Sequence, residues 1–372
     1  MITPDYKKNC IVNLMSSISR SFGIKNPYNP MKIDLKYKNV ILLNIDGLGY
    51  NYICHKCKGS FLEKNMIDKM KTVFPATTAT ATIALATGVP AQQHGLTGWS
   101  MFLKEVGCIV DVLPFMPTYG GNCLVESGVE KYDIHTEQKL VDKIKNGFAI
   151  LPSMIVPRES EIKKPLSFKT MDGMFKQIKN TCSKNNKRKL IYAYWPVFDK
   201  LCHKFGPKSK EVFEHFEILN KKIETFSKKL KDTLVIITAD HGFVEVPASK
   251  VVDMKDHPKL KECLIMPMCG DSRVKYCYVH PSKAKEFEKY IKTKMNKCCK
   301  MFKGPDLIKN NWFGLFKPHP KLFDRIGDYV LICKDNYKIK EHMVNKIDKK
   351  MKGHHSGTHP DEMFVPLILI KK

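Results

Sequence analysis

Apolar residues gather in three short, nearly unbroken runs, and each run ends in an acidic or imidazole side chain. The runs are Val40-Ile41-Leu42-Leu43-Asn44-Ile45-Asp46-Gly47, Leu190-Ile191-Tyr192-Ala193-Tyr194-Trp195-Pro196-Val197-Phe198-Asp199 with His203 four residues on, and Leu234-Val235-Ile236-Ile237-Thr238-Ala239-Asp240-His241-Gly242. Runs of this length and apolarity suit strands covered on both faces. They predict strands over 38–46, 189–194 and 233–239, with a last one over 364–370. Between the last two of the three, residues 211–229 place Val212, Phe213, Phe216, Leu219, Ile223 and Phe226 at spacings of three and four, which predicts a helix. Further helices are expected over 61–71, over the Ala/Thr-rich stretch 78–86 and over 282–295. Strands are expected over 274–279 and 329–333.

Strands alternating with helices predict an α/β fold with a mostly parallel central sheet and helices on both faces. Residues 1–36 read as an N-terminal lead-in carrying one amphipathic helix. The remainder, 37–372, reads as one discontinuous domain. Weak periodicity and turn residues mark 100–185 as a cap or loop region, and 251–345 reads as a smaller α+β insertion.

In sheets of this kind ligands gather at the carboxyl ends of the strands, where Asp46, Asp199 and Asp240-His241 fall. Asp199 and His203 are four apart, so one helical turn puts them on the same side. His359, in Gly357-Thr358-His359-Pro360, precedes the last strand; His354 and His355 are nearby competitors. Three carboxylates and three imidazoles suit a pair of divalent, zinc-like ions, with manganese or iron compatible. Thr78 opens the Ala/Thr helix, where unpaired amides and the helix dipole favour a phosphate group. A hydroxyl there becomes a nucleophile when a metal ion lowers its pKa.

The order Asp46…Thr78…Asp199-x-x-x-His203…Asp240-His241-Gly242…Gly357-x-His359 resembles the alkaline phosphatase superfamily, and within it the nucleotide pyrophosphatase/phosphodiesterase-like branch. Thr87-Gly88…His94-Gly95, Phe205-Gly206-Pro207, Glu362-Met363 and Pro366-Leu367 extend the resemblance. It implies that Asp46, Thr78, Asp240 and His241 hold one metal, and that Asp199, His203 and His359 hold the other. Counting back from Thr87-Gly88 places the nucleophile on Thr78 rather than Thr77. The implied reaction is hydrolysis of phosphodiester or pyrophosphate bonds in nucleotide-type substrates through a phospho- or nucleotidyl-threonine. Three departures stand out. Trp99 occupies the place of an Asn that binds a phosphoryl oxygen, Phe198 replaces a Pro and Cys202 replaces a Gly. No Arg lies within the motif segments, with Arg158 and Arg188 the nearest in the cap, which favours diesters over the more highly charged monoesters. A phosphomonoesterase, phosphonate hydrolase or phosphomutase of the same superfamily is the alternative enzyme.

Composition changes this picture at two points. The 372 residues carry 63 Lys+Arg against 37 Asp+Glu, a net charge of +26, which draws acidic substrates and allows a non-enzymatic nucleic-acid-binding alternative. The 13 cysteines are odd in number and scattered, as in a reducing compartment, and no secretory signal or run of ~18 apolar residues is visible. A cytoplasmic protein without a membrane span is expected.

Overall fold

The computed structural model describes residues 1–130, 134, 137–155, 163–344 and 350–372. Seven strands form the central sheet, in the order Met66–Lys71, Phe364–Lys371, Thr233–Thr238, Asn39–Ile45, Lys189–Trp195, Gly147–Pro152 and Leu166–Phe168. Asn39–Ile45 is parallel to both its neighbours, and the next two strands continue the parallel order. Only Phe364–Lys371 runs against the rest. The three central strands are buried along their whole length, which is why their sequences lack the alternation of a half-exposed sheet. The expected α/β class with a mostly parallel sheet is the one observed.

Register does the positioning. Asn44 pairs with Thr238 on one side and Tyr194 on the other. Asp46 and Asp240 therefore each stand two residues beyond one paired level, and they leave the sheet together. Lys189–Trp195 runs on through Pro196 into the helix Val197–Phe205, which carries Asp199 and His203.

Two regions differ from the sequence expectation. The segment 61–71 is not one helix: Phe61–Lys64 is a single turn, and Met66–Lys71 is an edge strand paired with Phe364–Lys371. Its outward Asp68 and Lys69 suit a sheet edge as well as a helix surface, so local pattern does not separate the two. The helix expected in the first 36 residues is Ile11–Ser21, which buries nine of its eleven residues in the main core. Its buried polar side chains bond backbone carbonyls, Ser16 Oγ to Tyr28 at 2.6 Å and Asn13 Nδ2 to Tyr6 at 3.1 Å, so they cost little there. The 100–185 region divides between two sheets. Gly147–Pro152 and Leu166–Phe168 extend the central one. Ser100–Leu103, Cys108–Asp111 and Met116–Pro117 instead join Cys269–Gly270, Val274–Cys277, Tyr329–Cys333 and Cys299–Lys303 in a second, antiparallel seven-stranded sheet. Pairings between segments so far apart in the chain leave no local trace.

A buried ion pair ties the two sheets. Arg273, from the second sheet's turn, gives Nε to Glu362 Oε1 at 2.7 Å and Nη2 to Oε2 at 3.0 Å, with neither side chain exposed. Glu362 also accepts the Gly357 and His359 amides at 2.9 and 3.1 Å. Truncating one partner strands a buried charge. Glu362→Gln is expected to lower stability by about 3 kcal/mol in urea denaturation, and Arg273→Met on top of it to recover part of the loss.

Candidate metal-binding and catalytic site

Three imidazoles converge beyond the carboxyl ends of the central strands. His241 Nδ1 lies 3.1 Å from Gly242 O, His203 Nδ1 2.8 Å from Gly353 O, and His355 Nδ1 3.2 Å from Ala76 O. A carbonyl only accepts, so each Nδ1 carries the proton and each Nε2 presents a lone pair. These lone pairs point inward. His355 Nε2 lies 3.2 Å from His203 Nε2, and both face Asp199 Oδ1, at 3.8 and 3.5 Å. His241 Nε2 faces Asp46 Oδ1 at 3.4 Å and Asp240 Oδ2 at 3.5 Å.

The carboxylates of Asp46 and Asp240 are held by their other oxygens. Tyr194 Oη donates to Asp46 Oδ2. Asp240 Oδ1 accepts the amides of Gly47 and His241, each at 3.1 Å. Gly47 has φ +77°, and a Cβ there would lie 2.4 Å from the Phe243 ring, so the turn that delivers its amide requires glycine. Asp46 Oδ1, Asp199 Oδ1 and Asp240 Oδ2 are buried without a hydrogen-bond donor. Burial raises the pKa of Asp46, and the charges on Asp199 and Asp240 raise it further. Burial also raises Asp199, against the pull of His203 and His241. His355 is pushed well down, first by burial and then by His241 and His203. Orphaned carboxylate oxygens facing imidazole lone pairs are what a cation would satisfy. Two groups have ligand atoms all within 4.8 Å of one another: Asp199, His203 and His355, and Asp46, Asp199 and His241. Asp199 belongs to both.

Thr78 is the first residue of the helix Thr78–Thr87, and its Oγ1 lies 3.0 Å from His241 Nε2. The adjacent Thr77 faces away, its Oγ1 donating to Asp271 Oδ1 at 2.9 Å. Asp271 Oδ2 accepts the Trp99 amide at 3.1 Å, and the indole, 37% exposed, lines the cleft above Thr78. That cleft has a volume of about 1080 Å³ and reaches Asp46, Thr78 and Asp199.

The structure brings together Asp46, Thr78, Asp199, His203, Asp240 and His241, but not His359. The imidazole beside Asp199 and His203 is that of His355. His359 caps the helix Pro360–Met363: its Nδ1 accepts the Asp361 amide at 3.1 Å and lies 3.6 Å from the Asp361 carboxylate. The sequence carries this signal, since Pro at the first helical position and acidic residues behind it mark His359 as a cap. The chain reaches His355 through Ser356, at φ +97°, whose Oγ accepts the Arg273 amide at 3.2 Å. His354 turns away to Ser272 and Lys338, and its pKa falls to about 3 through burial and then Lys338. Arg188 is spent on backbone carbonyls of Ser21, Leu35 and Tyr37, and Arg158 lies outside the described residues.

The family model described as type I phosphodiesterase / nucleotide pyrophosphatase matches residues 40–111 and 129–359. Among curated proteins, none matches the chain in sequence. Solved structures share the fold at low identity. Murine ectonucleotide pyrophosphatase/phosphodiesterase 5 aligns with TM-score 0.66 and 17% identity over 88% of this chain and 87% of its own. Its human counterpart gives 0.65 and 17% over 89% and 87%. Phosphonoacetate hydrolase from Sinorhizobium meliloti 1021, in complex with phosphonoformate, gives 0.60 and 14% over 88% and 89%.

In chelator-treated protein, a carboxylate with a raised folded pKa binds its proton more tightly folded than unfolded. Its contribution to stability therefore falls as pH rises from about 4, the unfolded value, through the folded value. His354 and His355, with lowered pKa values, act in the opposite sense, so the difference between variants isolates the carboxylate. Asp46→Asn is expected to melt a few degrees above the wild type at pH 7, with the gap closing towards pH 4 in calorimetry. Added zinc should reverse the order at pH 7.

Proposed function

The chain belongs to the type I phosphodiesterase / nucleotide pyrophosphatase family, a family of phosphoester hydrolases, and we propose that it hydrolyses phosphodiester or pyrophosphate bonds of nucleotide-type substrates through Thr78. The observation that carries the reading is the Thr78 hydroxyl, 3.0 Å from His241 Nε2, at the start of a helix and beside three unpartnered carboxylate oxygens. An inactive form of the murine relative has been solved in complex with AMP, which supports a nucleotide-type substrate.

Asp46, Asp240 and His241, and Asp199, His203 and His355, would hold two divalent cations, for which zinc suits the mixed nitrogen and oxygen donors. Such ions would lower the pKa of the Thr78 hydroxyl and neutralise charge on the phosphoryl oxygens. Thr78 Oγ forms a bond to phosphorus as the bond to the departing alcohol or phosphate breaks; its proton leaves to solvent or to that group. Water then cleaves the Oγ–phosphorus bond, restoring the hydroxyl. The first-turn amides and dipole of Thr78–Thr87 favour the anionic phosphoryl group, and His241 orients the nucleophile. The Arg near this site, Arg273, has its charge matched by Glu362, so no arginine among the described residues offers a monoester its second counter-charge there. Diesters are the preferred class. A reducing, cytoplasmic location belongs to the same reading and rests on the cysteine pattern; no helix among the described residues is long and apolar enough to cross a membrane.

Thr78→Ala is expected to lower kcat for bis-p-nitrophenyl phosphate by roughly a thousandfold or more, and intact turnover would remove Thr78 as nucleophile. The unmodified protein should turn over this diester faster than p-nitrophenyl phosphate. His355→Ala should cost about a hundredfold in activity or metal affinity, whereas His359→Ala should stay within a few fold of wild type. Equal losses in the two histidine variants would contradict the assignment of His355.

A further inference from the structure

We infer that the cleft beside Thr78 receives an apolar ester group, so that the favoured substrates are phosphodiesters in which one alcohol is a long aliphatic chain. The inference rests on the phosphodiesterase reading of Thr78 and departs from it in one respect, the ester group, which is aliphatic and not a nucleoside. The cleft, about 1080 Å³, is at the upper end of the ~300–1,000 Å³ common for small-molecule sites. Its walls explain what it accepts. One is a face of the central sheet, with Ala149, Leu151 and Tyr192; parallel sheets ordinarily bury that face under a helix. The opposite wall is the nucleophile helix, with Ile83 and Ala86, both half-buried. The hairpin of the second sheet adds Val112, Leu113 and Phe115.

Two of the polar atoms on these walls are already engaged. Tyr194 Oη serves Asp46, and Thr82 Oγ1 donates to Thr78 O at 2.6 Å. Among the described residues, the charged lining side chains apart from the site carboxylates are Glu126, Lys139 and Lys200; Glu126 and Lys200 are exposed and Lys139 is half-buried. A nucleobase in this space would lose its water and find few groups to replace it. A hydrocarbon chain loses nothing by the same transfer, and it gains with each methylene buried. The reacting phosphorus sits at the polar end, and the chain extends along the apolar walls.

The test uses full-length, metal-loaded protein and p-nitrophenyl phosphodiesters of methyl, butyl and octyl alcohols below their micelle concentrations, with the p-nitrophenyl ester of thymidine 5′-phosphate alongside. We expect kcat/KM to rise roughly two- to fourfold per added methylene until the chain fills the cleft, with the octyl ester above the thymidine ester. Ile83→Asn and Leu151→Asn should each flatten that slope, and the wild-type series stands by itself if either fails to fold. A flat wild-type series, or a thymidine ester faster than the octyl ester, overturns the inference and leaves the phosphodiesterase reading standing. No hydrolysis of any ester overturns both.

Discussion

Three imidazole lone pairs and three carboxylate oxygens are aimed at one another in a buried space, and the carboxylate oxygens have no hydrogen-bond donor among the described residues. That is the constraint on which the architecture turns. His203 Nε2 and His355 Nε2 are 3.2 Å apart with their protons committed to backbone carbonyls on the far side of each ring. Without a shared positive charge, such a pair repels. Asp46, Asp199 and Asp240 add buried like charges; burial first, and then Asp199 and Asp240, pushes the Asp46 carboxyl above its usual range. A fold that holds these groups together does so against their electrostatics, so the holding has to come from elsewhere in the molecule.

It comes from backbone more than from side chains. The in-register pairing of Asn44 with Thr238 and Tyr194 sets the height of Asp46 and Asp240. Each imidazole is oriented by a carbonyl from a different segment: Gly242, Gly353 and Ala76. The second sheet gives no side chain to this cluster but fixes the loop that carries His355. Arg273 takes both oxygens of Glu362, Glu362 takes the amides on either side of Thr358, and the Arg273 amide reaches Ser356. Ser356 sits at φ +97°, a region that a side chain disfavours, immediately after His355. The buried ion pair offsets that conformation.

Much of this is legible in sequence because it is local. Wholly buried strands write themselves as apolar runs, and a residue just past such a run is at the carboxyl end of the strand whatever surrounds it; Asp46, Asp199 and Asp240 are identifiable that way. Thr78 is legible because a small-residue helix announces its own start. What the sequence conceals depends on partners distant in the chain. Residues 100–117 belong to the same sheet as 269–270, and no pattern within either segment reports that. Helix Ile11–Ser21 can bury its polar face because Asn13, Ser16 and Ser17 bond backbone carbonyls of neighbouring loops, partners that its own sequence does not report. His359 looks a better ligand than His355 only while the Gly-x-His pattern is weighed above the capping pattern His-Pro-Asp-Glu that overlaps it.

The net charge of +26 and the apolar cleft act at different ranges. Lysines spread over the surface raise the local concentration of anions near the molecule, an effect screened beyond about 10 Å at ordinary salt. They do not distinguish phosphate compounds of equal charge. Within the cleft, two lysines and one glutamate border largely apolar walls, and Arg273 is neutralised by Glu362. Attraction is thus general and selection is local. A monoester, with one more negative charge, would be drawn more strongly than a diester, but beyond any bound cations the fixed charges of the described residues around Thr78 are carboxylates. A diester presents one fewer charge to those carboxylates and a second ester group to the apolar walls. On the proposed reading, both differences favour the diester.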